Sequence, residues 1–401
     1  MHMQEWFIAG RPVSGKFFYG RKNEIETITA GFGNNYAIIG IRRVGKTSLL
    51  IELEEDFKKK GIIPIRINVQ SVLPFTIENF LREWTLAVAD GYAHASKNRQ
   101  LLEKTKMFIK GRWDGFLEYV KGVHVKSHRH VLELWFEYEH DSEKSQTRLV
   151  KDVIEYPEKL ARETGKKVVI MLDEFQDVQK LGTDFMKAFR SGIQETRNTS
   201  YIISGSAVGT MKHVLGSRKS PFFGMFLLQE LGPLDEESAR KLLRRVNDFG
   251  VVLPKELEDE VIELTGCYPL YLQVMGKIIT VRMIVLKREN ARSAKTTHEN
   301  VVTREDLKEC WMQLFSELSF HFQGLEKEMN GREKRIMETV AVNDAHSPSE
   351  LARLIELPLT SIPKYLNGLM NEGFLEKTDK GYEFTDPVFE QWYEKRETKK
   401  N

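Results

Sequence analysis

Tyr36-Ala37-Ile38-Ile39-Gly40-Ile41-Arg42-Arg43-Val44-Gly45-Lys46-Thr47-Ser48-Leu49-Leu50 is the stretch on which the fold turns. Tyr36 to Ile39 read as a short buried strand, Gly40 to Gly45 as a loop, and Lys46 opens a run of helical propensity. Gly40 and Gly45 bracket four residues and directly precede Lys46 and Thr47, the spacing G-x-x-x-x-G-K-[ST] of a phosphate loop. Such a loop aims successive backbone N–H groups at phosphate oxygens, which needs glycine's freedom, and the following helix turns its positive end the same way. In that arrangement Lys46 reaches the β- and γ-phosphates and the Thr47 hydroxyl ligates Mg²⁺. The stretch therefore predicts a nucleotide site formed by Gly40, Ile41, Arg42, Arg43, Val44, Gly45, Lys46, Thr47 and Ser48.

The complementary half lies about 125 residues later, in Val168-Val169-Ile170-Met171-Leu172-Asp173-Glu174. Five apolar residues predict a strand buried on both faces, as in a parallel sheet. Two carboxylates sit at its C-terminal edge, where ligands bind in open α/β sheets. Asp173 is the expected holder of the Mg²⁺ shell, and Glu174 the group that orients and activates the attacking water. A further strand, Thr199-Ser200-Tyr201-Ile202-Ile203, ends in Ser204-Gly205-Ser206. Ser204, with Ser206 second, is the candidate γ-phosphate sensor; the same residues also read as a plain turn.

Length and composition bound the rest. At 401 residues the chain exceeds one core, so two to three domains are expected. A formal net charge of +2 gives no global field for a polyanion. Cys267 and Cys310 make neither a disulfide framework nor a zinc signature. No apolar run is read as approaching a membrane span, which predicts a cytoplasmic chain without membrane contact. The expected division is an ATPase-type core over 1–232 with an insertion at about 76–164, a separate all-helical lid over 233–325, and a winged helix-turn-helix over 326–401. Within the insertion, 97–129 carries nine Lys or Arg interleaved with aromatics, read as a solvated helix face or a partner surface. Val123 to Glu137 alternates like a hairpin, and His128 with His130 lacks the companions of a zinc site.

Asp235 caps one lid helix, and Pro254 opens another. In the last segment Ser347-Pro348-Ser349-Glu350 reads as a helix start, followed by a third helix and a two-stranded hairpin. Acidic side chains outnumber basic ones from Gly331 to Asn401, and the third helix offers only Lys364 to a groove. A protein-contacting or structural role is favoured over DNA reading.

Tyr19-Gly20-Arg21-Lys22-Asn23-Glu24, the phosphate loop with its paired arginines, Asp173-Glu174-Phe175-Gln176 and Ile203-Ser204-Gly205-Ser206 together resemble the archaeal-type ATPases of the AAA+/STAND group. The resemblance covers most of the chain. It implies a five-stranded parallel α/β core of the P-loop NTPase class, ATP/ADP and Mg²⁺ as ligands, and a lid that closes on nucleotide. Gly266-Cys267-Tyr268-Pro269-Leu270 is similar to the G-x-P motif of STAND lids with one residue added, which implies that Tyr268 and Pro269 lie near the adenine. Tyr19, Gly20 and Arg21 would lie near base or ribose. One departure stands out. Where relatives place an arginine after the glycine, Ser220-Pro221-Phe222-Phe223-Gly224 continues into Met225. Arg218, Arg190 or Arg197 could replace it, in cis or from a neighbouring subunit. The resulting expectation is an ATP-driven molecular switch with a protein partner. The alternatives are an ATP-regulated DNA-binding protein and a scaffold that holds ATP without turnover.

Overall fold

Strands with no polar face are satisfied only between two layers of helices, and the centre of this chain builds that sandwich. The structure, a computed structural model, describes residues 7–96, 146–292, 300–343 and 345–397. Five parallel strands, β1 (Tyr36–Ile39), β2 (Ile63–Asn68), β3 (Val168–Asp173), β4 (Thr199–Gly205) and β5 (Leu227–Glu230), lie in the order β2-β3-β4-β1-β5. The three middle strands, β3, β4 and β1, are buried along their whole length. The side-chain period of two then sorts residues between the faces. Ile38, Met171 and Ile202 point to one apolar cluster, and Ile39, Ile170, Leu172 and Ile203 to the other.

Over the first face lie α1 (Lys22–Ala30) and α2 (Lys46–Lys59), which ends in a basic turn followed by Gly61 at φ +73°. The second face is covered by α3 (Ile77–Ser96), α4 (Gln146–Ile154), α5 (Tyr156–Thr164), α6 (Thr183–Ile193) and α7 (Val208–Gly216). Phe189 centres an aromatic cluster here, with Phe80, Trp84, Phe175, Phe185 and Phe222 at ring-centroid separations of 5.6–6.4 Å. The helical expectation for the insertion holds at both its ends. The hairpin at 123–137, the basic run at 97–129, and His128 with His130 lie outside the described residues.

Four helices follow: α8 (Glu236–Leu243), α9 (Lys255–Thr265), α10 (Pro269–Arg292) and α11 (Arg304–Lys327). Asp235 caps α8 by accepting from the Ser238 N–H at 2.8 Å. The last segment folds as α12 (Gly331–Asn343), α13 (Pro348–Leu354), α14 (Ile362–Glu372), the antiparallel pair β6 (Leu375–Thr378) and β7 (Gly381–Phe384), and α15 (Pro387–Glu397). Ser347 and Glu350 form a reciprocal capping box at α13. Helix, helix, helix and hairpin follow in the expected order, and α15 is an addition to it.

One apolar cluster runs from β1 and α2 through Tyr271 and Phe322 to Phe389 and Trp392 of α15, so the four helices pack on both the sheet and the C-terminal segment. One expectation is corrected. A long apolar run is present: Pro269–Glu289 of α10 has a mean hydropathy of 1.4 over its best window, long and apolar enough to cross a membrane by composition. Some 56% of that window is buried inside the protein, and Leu272, Met275 and Ile279 are in the shared core, which is the arrangement of a core helix.

Phe189→Ala removes a fully buried ring from the middle of the aromatic cluster. Chemical denaturation is expected to show a loss of about 3–5 kcal/mol, as for large buried aromatics truncated to alanine.

Candidate nucleotide site

Parallel strands place all their C-terminal ends on one edge, and register then decides which loops meet. Ile39 pairs with Gly205, and Leu172 with Ile203, so the loop after β1, the acids ending β3 and the serines ending β4 converge. Backbone conformation completes the arrangement. Gly45 sits at φ +104°, a region that strains any L side chain, and its carbonyl accepts the Leu49 N–H as α2 begins. Gly40 is required for space: a Cβ there would stand 2.4 Å from the Leu231 carbonyl oxygen.

The predicted phosphate-binding and acidic residues are brought together. Lys46 is buried, and its ammonium donates to the carbonyls of Gly40 (2.9 Å) and Ile41 (3.0 Å). Burial pushes its pKa down to about 8, opposed by Glu174 and Asp173 and assisted by Arg42. Thr47 Oγ1 donates to Asp173 Oδ2 at 2.8 Å, and Ser204 Oγ donates to the other oxygen of the same carboxylate. Thr47 and Asp173 therefore present two hard oxygens side by side, the donor type a small divalent cation takes alongside phosphate and water.

Glu174 is held differently. It occupies the left-handed region at φ +56°, uncommon for a residue with a Cβ, where the chain turns from β3 into the 3-10 helix Phe175–Leu181. Its Oε2 accepts from Ser206 Oγ (2.8 Å) and from Gln176 Nε2 (2.7 Å). The two serines of β4's end thus divide the two carboxylates between them. Gln176 had no role in the sequence reading; its signal was its place two residues after Glu174, one tight turn away.

Around this centre, the N-terminal segment crosses the start of α2, with the Val13 N–H on Ser48 Oγ at 3.1 Å. Gly20 sits at φ +71°, and a Cβ there would stand 3.0 Å from Ser238 Oγ and 3.3 Å from Leu234. Arg21 donates to the carbonyls of Gly232 and, at 3.4 Å, Val44, and pairs with Glu24, tying the segment to the phosphate loop and to the start of the lid. Tyr19 is half-buried beside them. Tyr268 turns its hydroxyl to the Thr385 carbonyl at 2.7 Å, and Pro269 starts α10. Arg190, Arg197 and Arg218 are elsewhere. Arg218 follows the far end of α7, whose nine residues span roughly 13 Å from the Ser206 side.

The phosphate loop also faces the C-terminal segment. Ile41, Arg42 and Arg43 line a small cavity with His321 and Glu328 of the α11 region and with Asp386 before α15. Arg42 pairs with Glu328 at 3.0 Å. Arg43, at φ +69°, interacts with Tyr271 and with the partly buried Asp386, whose carboxyl pKa desolvation raises while Tyr271, two backbone N–H groups and Arg43 lower it. Burial, with Arg43 and Arg42, pushes the His321 imidazole down to about 4.

A family model described as an ATPase domain predominantly from Archaea matches residues 18–275. The chain belongs to this archaeal ATPase family. It is accordingly a nucleotide-binding protein of the P-loop ATPase class, and the match includes every residue of the phosphate loop and both acids. The Walker-type ATPase PABY2304 of Pyrococcus abyssi shares its fold at a TM-score of 0.66 and 18% identity, covering 96% of this chain and 98% of that one. The ORC2 protein of Aeropyrum pernix, solved as ADPNP–ADP complexes, aligns at a TM-score of 0.53 and 11% identity over 96% of this chain and 98% of its own. Both likenesses are of fold. No curated protein matches the archaeal ATPase by sequence.

Because binding of a phosphate needs the Lys46 ammonium, nucleotide affinity is expected to fall as pH rises through about 8, by up to about tenfold per pH unit. Calorimetric titration across that range checks it. Lys46→Arg, whose guanidinium keeps its charge, is expected to flatten the profile.

Proposed function

We propose that the protein hydrolyses ATP with Mg²⁺ and uses the cycle as a switch between docked and released states of its C-terminal segment. The observation that carries the hydrolytic reading is the division of labour at the acid pair. Asp173, with Thr47, would hold the cation, which would supply charge neutralisation to the β- and γ-phosphates. Glu174 keeps its Oε1 without a hydrogen bond among the described residues, while Ser206 and Gln176 fix the other oxygen. That geometry suits a carboxylate that takes a proton from water placed in line with the γ-phosphate. Ser204 and Ser206 connect the same carboxylates to the end of β4, so a change at the γ-phosphate is transmitted there first.

The switch reading is supported by the loop itself. Ile41, Arg42 and Arg43 belong to the phosphate loop and also face His321, Glu328 and Asp386. A triphosphate drawing on these arginines would compete for the charges that meet Glu328 and Asp386, so nucleotide state and docking share residues. The domain that moves would act on a protein partner. Reading of DNA by its third helix is the second possibility, disfavoured because α14 carries a single cation, Lys364.

Steady-state phosphate release tests the proposal. Lys46→Ala is expected to abolish ATP binding, and Glu174→Gln to retain binding with turnover reduced by at least about a hundredfold. Full turnover in Glu174→Gln would remove that residue from the role of base. For the switch, Arg43→Ala is expected to make the region around Asp386 and α15 exchange amide hydrogens faster without nucleotide; protection equal to wild type would sever the loop from docking.

A further inference from the structure

The residues considered as replacements for the missing arginine share a surface of a different kind. Lys187, Arg190, Ser191 and Gln194, from α6 and the turn after it, face Arg218 and Lys219 across an open groove of about 440 Å³. Of these, Arg218 and Lys219 are exposed on the loop Ser217–Pro221, beyond α7. No Asp or Glu is among the groove's lining residues. In a chain whose charges nearly cancel, with 60 Lys and Arg against 58 Asp and Glu, four cations around one groove without a carboxylate are a local excess.

The cations are also poorly neutralised. Lys187 meets Asp184 at 3.2 Å, an i,i+3 pair with both side chains largely exposed and hence worth little. Among the described residues Arg190, Arg218 and Lys219 make no ion pair. Arg190 carries the sharper signal: its Nε is buried and has no hydrogen-bond partner. A buried guanidinium N–H without an acceptor is costly, so the protein itself leaves this side chain incompletely satisfied. Gln194 also lines an adjoining groove with Arg162, Thr196 and Arg197, where Glu195 is the one carboxylate, so the polar surface continues beyond a single anion's width.

We propose that this groove binds the phosphate backbone of a nucleic acid, through Arg190, Arg218, Lys219 and Lys187, on a face of the core distinct from the nucleotide site. Side chains from two elements facing across an open channel fit phosphates spaced along a strand better than one enclosed phosphate group. No aromatic ring on which a base could stack is among the groove's lining residues, and contacts to the backbone alone carry no sequence information, so binding is expected to be indifferent to sequence.

Fluorescence anisotropy with labelled random-sequence duplex and single-stranded oligonucleotides tests it on the full chain. Wild type is expected to lose about a hundredfold in affinity between about 50 and 200 mM salt, the effect of about four phosphate contacts. Arg190→Glu/Arg218→Glu/Lys219→Glu is expected to weaken binding more than tenfold at low salt and to reduce the log–log salt slope by nearly three. The exposed-loop double variant Arg218→Glu/Lys219→Glu, which leaves α6 untouched, should show the same direction with an unchanged thermal midpoint. Lys364→Glu in α14 should bind as wild type. Equal binding by wild type and the double variant, salt-insensitive binding, or a loss caused by Lys364→Glu instead would each overturn the proposal. So would an absence of oligonucleotide binding. If ATP turnover then rises with protein concentration and collapses in Arg218→Glu, the groove serves the nucleotide of a second copy.

Discussion

Asp173 accepts hydrogen bonds from Thr47 on α2 and from Ser204 on β4, and the rest of the core is arranged so that those three residues can meet. They are separated by 126 and 31 positions in the chain. Parallel pairing of β1, β3 and β4 is what aligns their ends, and burial of all three strands on both faces is what forbids a slip, since a shift of one residue would exchange the two apolar clusters. The polar edge of the sheet is thus a consequence of its apolar middle. Glu174 is the exception that uses backbone strain: a left-handed residue turns its carboxylate away from Asp173's partners and into the reach of Ser206 and Gln176.

A second consequence is that the phosphate loop is never far from the C-terminal segment. The apolar cluster that covers α2 continues through Tyr271 and Phe322 into α15, and this continuity puts Asp386 against Arg43 and Glu328 against Arg42. The Arg42–Glu328 pair is about half exposed, so its direct contribution is within about 1 kcal/mol. Asp386 is partly buried and hydrogen-bonded by Tyr271 and the Val388 and Phe389 N–H groups, so removing the cation beside it leaves a carboxylate with less compensation. Docking is held mainly by apolar area, and the charged contacts lie beside the phosphate loop.

The aromatic cluster on the opposite face gives the core a different connection. Phe175 directly follows Glu174 and packs against Phe222 at 5.4 Å and Phe189 at 6.0 Å. Phe222 immediately follows the loop that bears Arg218 and Lys219, and Phe189 immediately precedes Arg190. The cationic groove and the acid pair therefore rest on the same rings, from opposite ends.

Much of this was legible in residue order. The loop from Gly40 to Thr47 announces itself because its chemistry demands fixed spacing; the β3 strand does so because five consecutive apolar residues leave no polar alternation; Asp235 and Ser347 do so because a cap is a local hydrogen bond. The edge strand β5 was not located, since Leu227 and Leu228 are half exposed and carry no burial pattern. The helix α15 and the packing of the C-terminal segment on the four helices before it escaped because an apolar stripe states that a partner exists without naming it. The pairing of Ser204 with Asp173 and of Ser206 with Glu174, and the meeting of Arg43 with Asp386, depend on register and packing between distant segments. The sequence by itself determined the nucleotide chemistry and the parallel core, both written in short-range spacing; tertiary structure alone decided which serine meets which acid and what the phosphate loop touches, because those contacts join residues that only the shared burial of β1, β3, β4 and the C-terminal helices brings together.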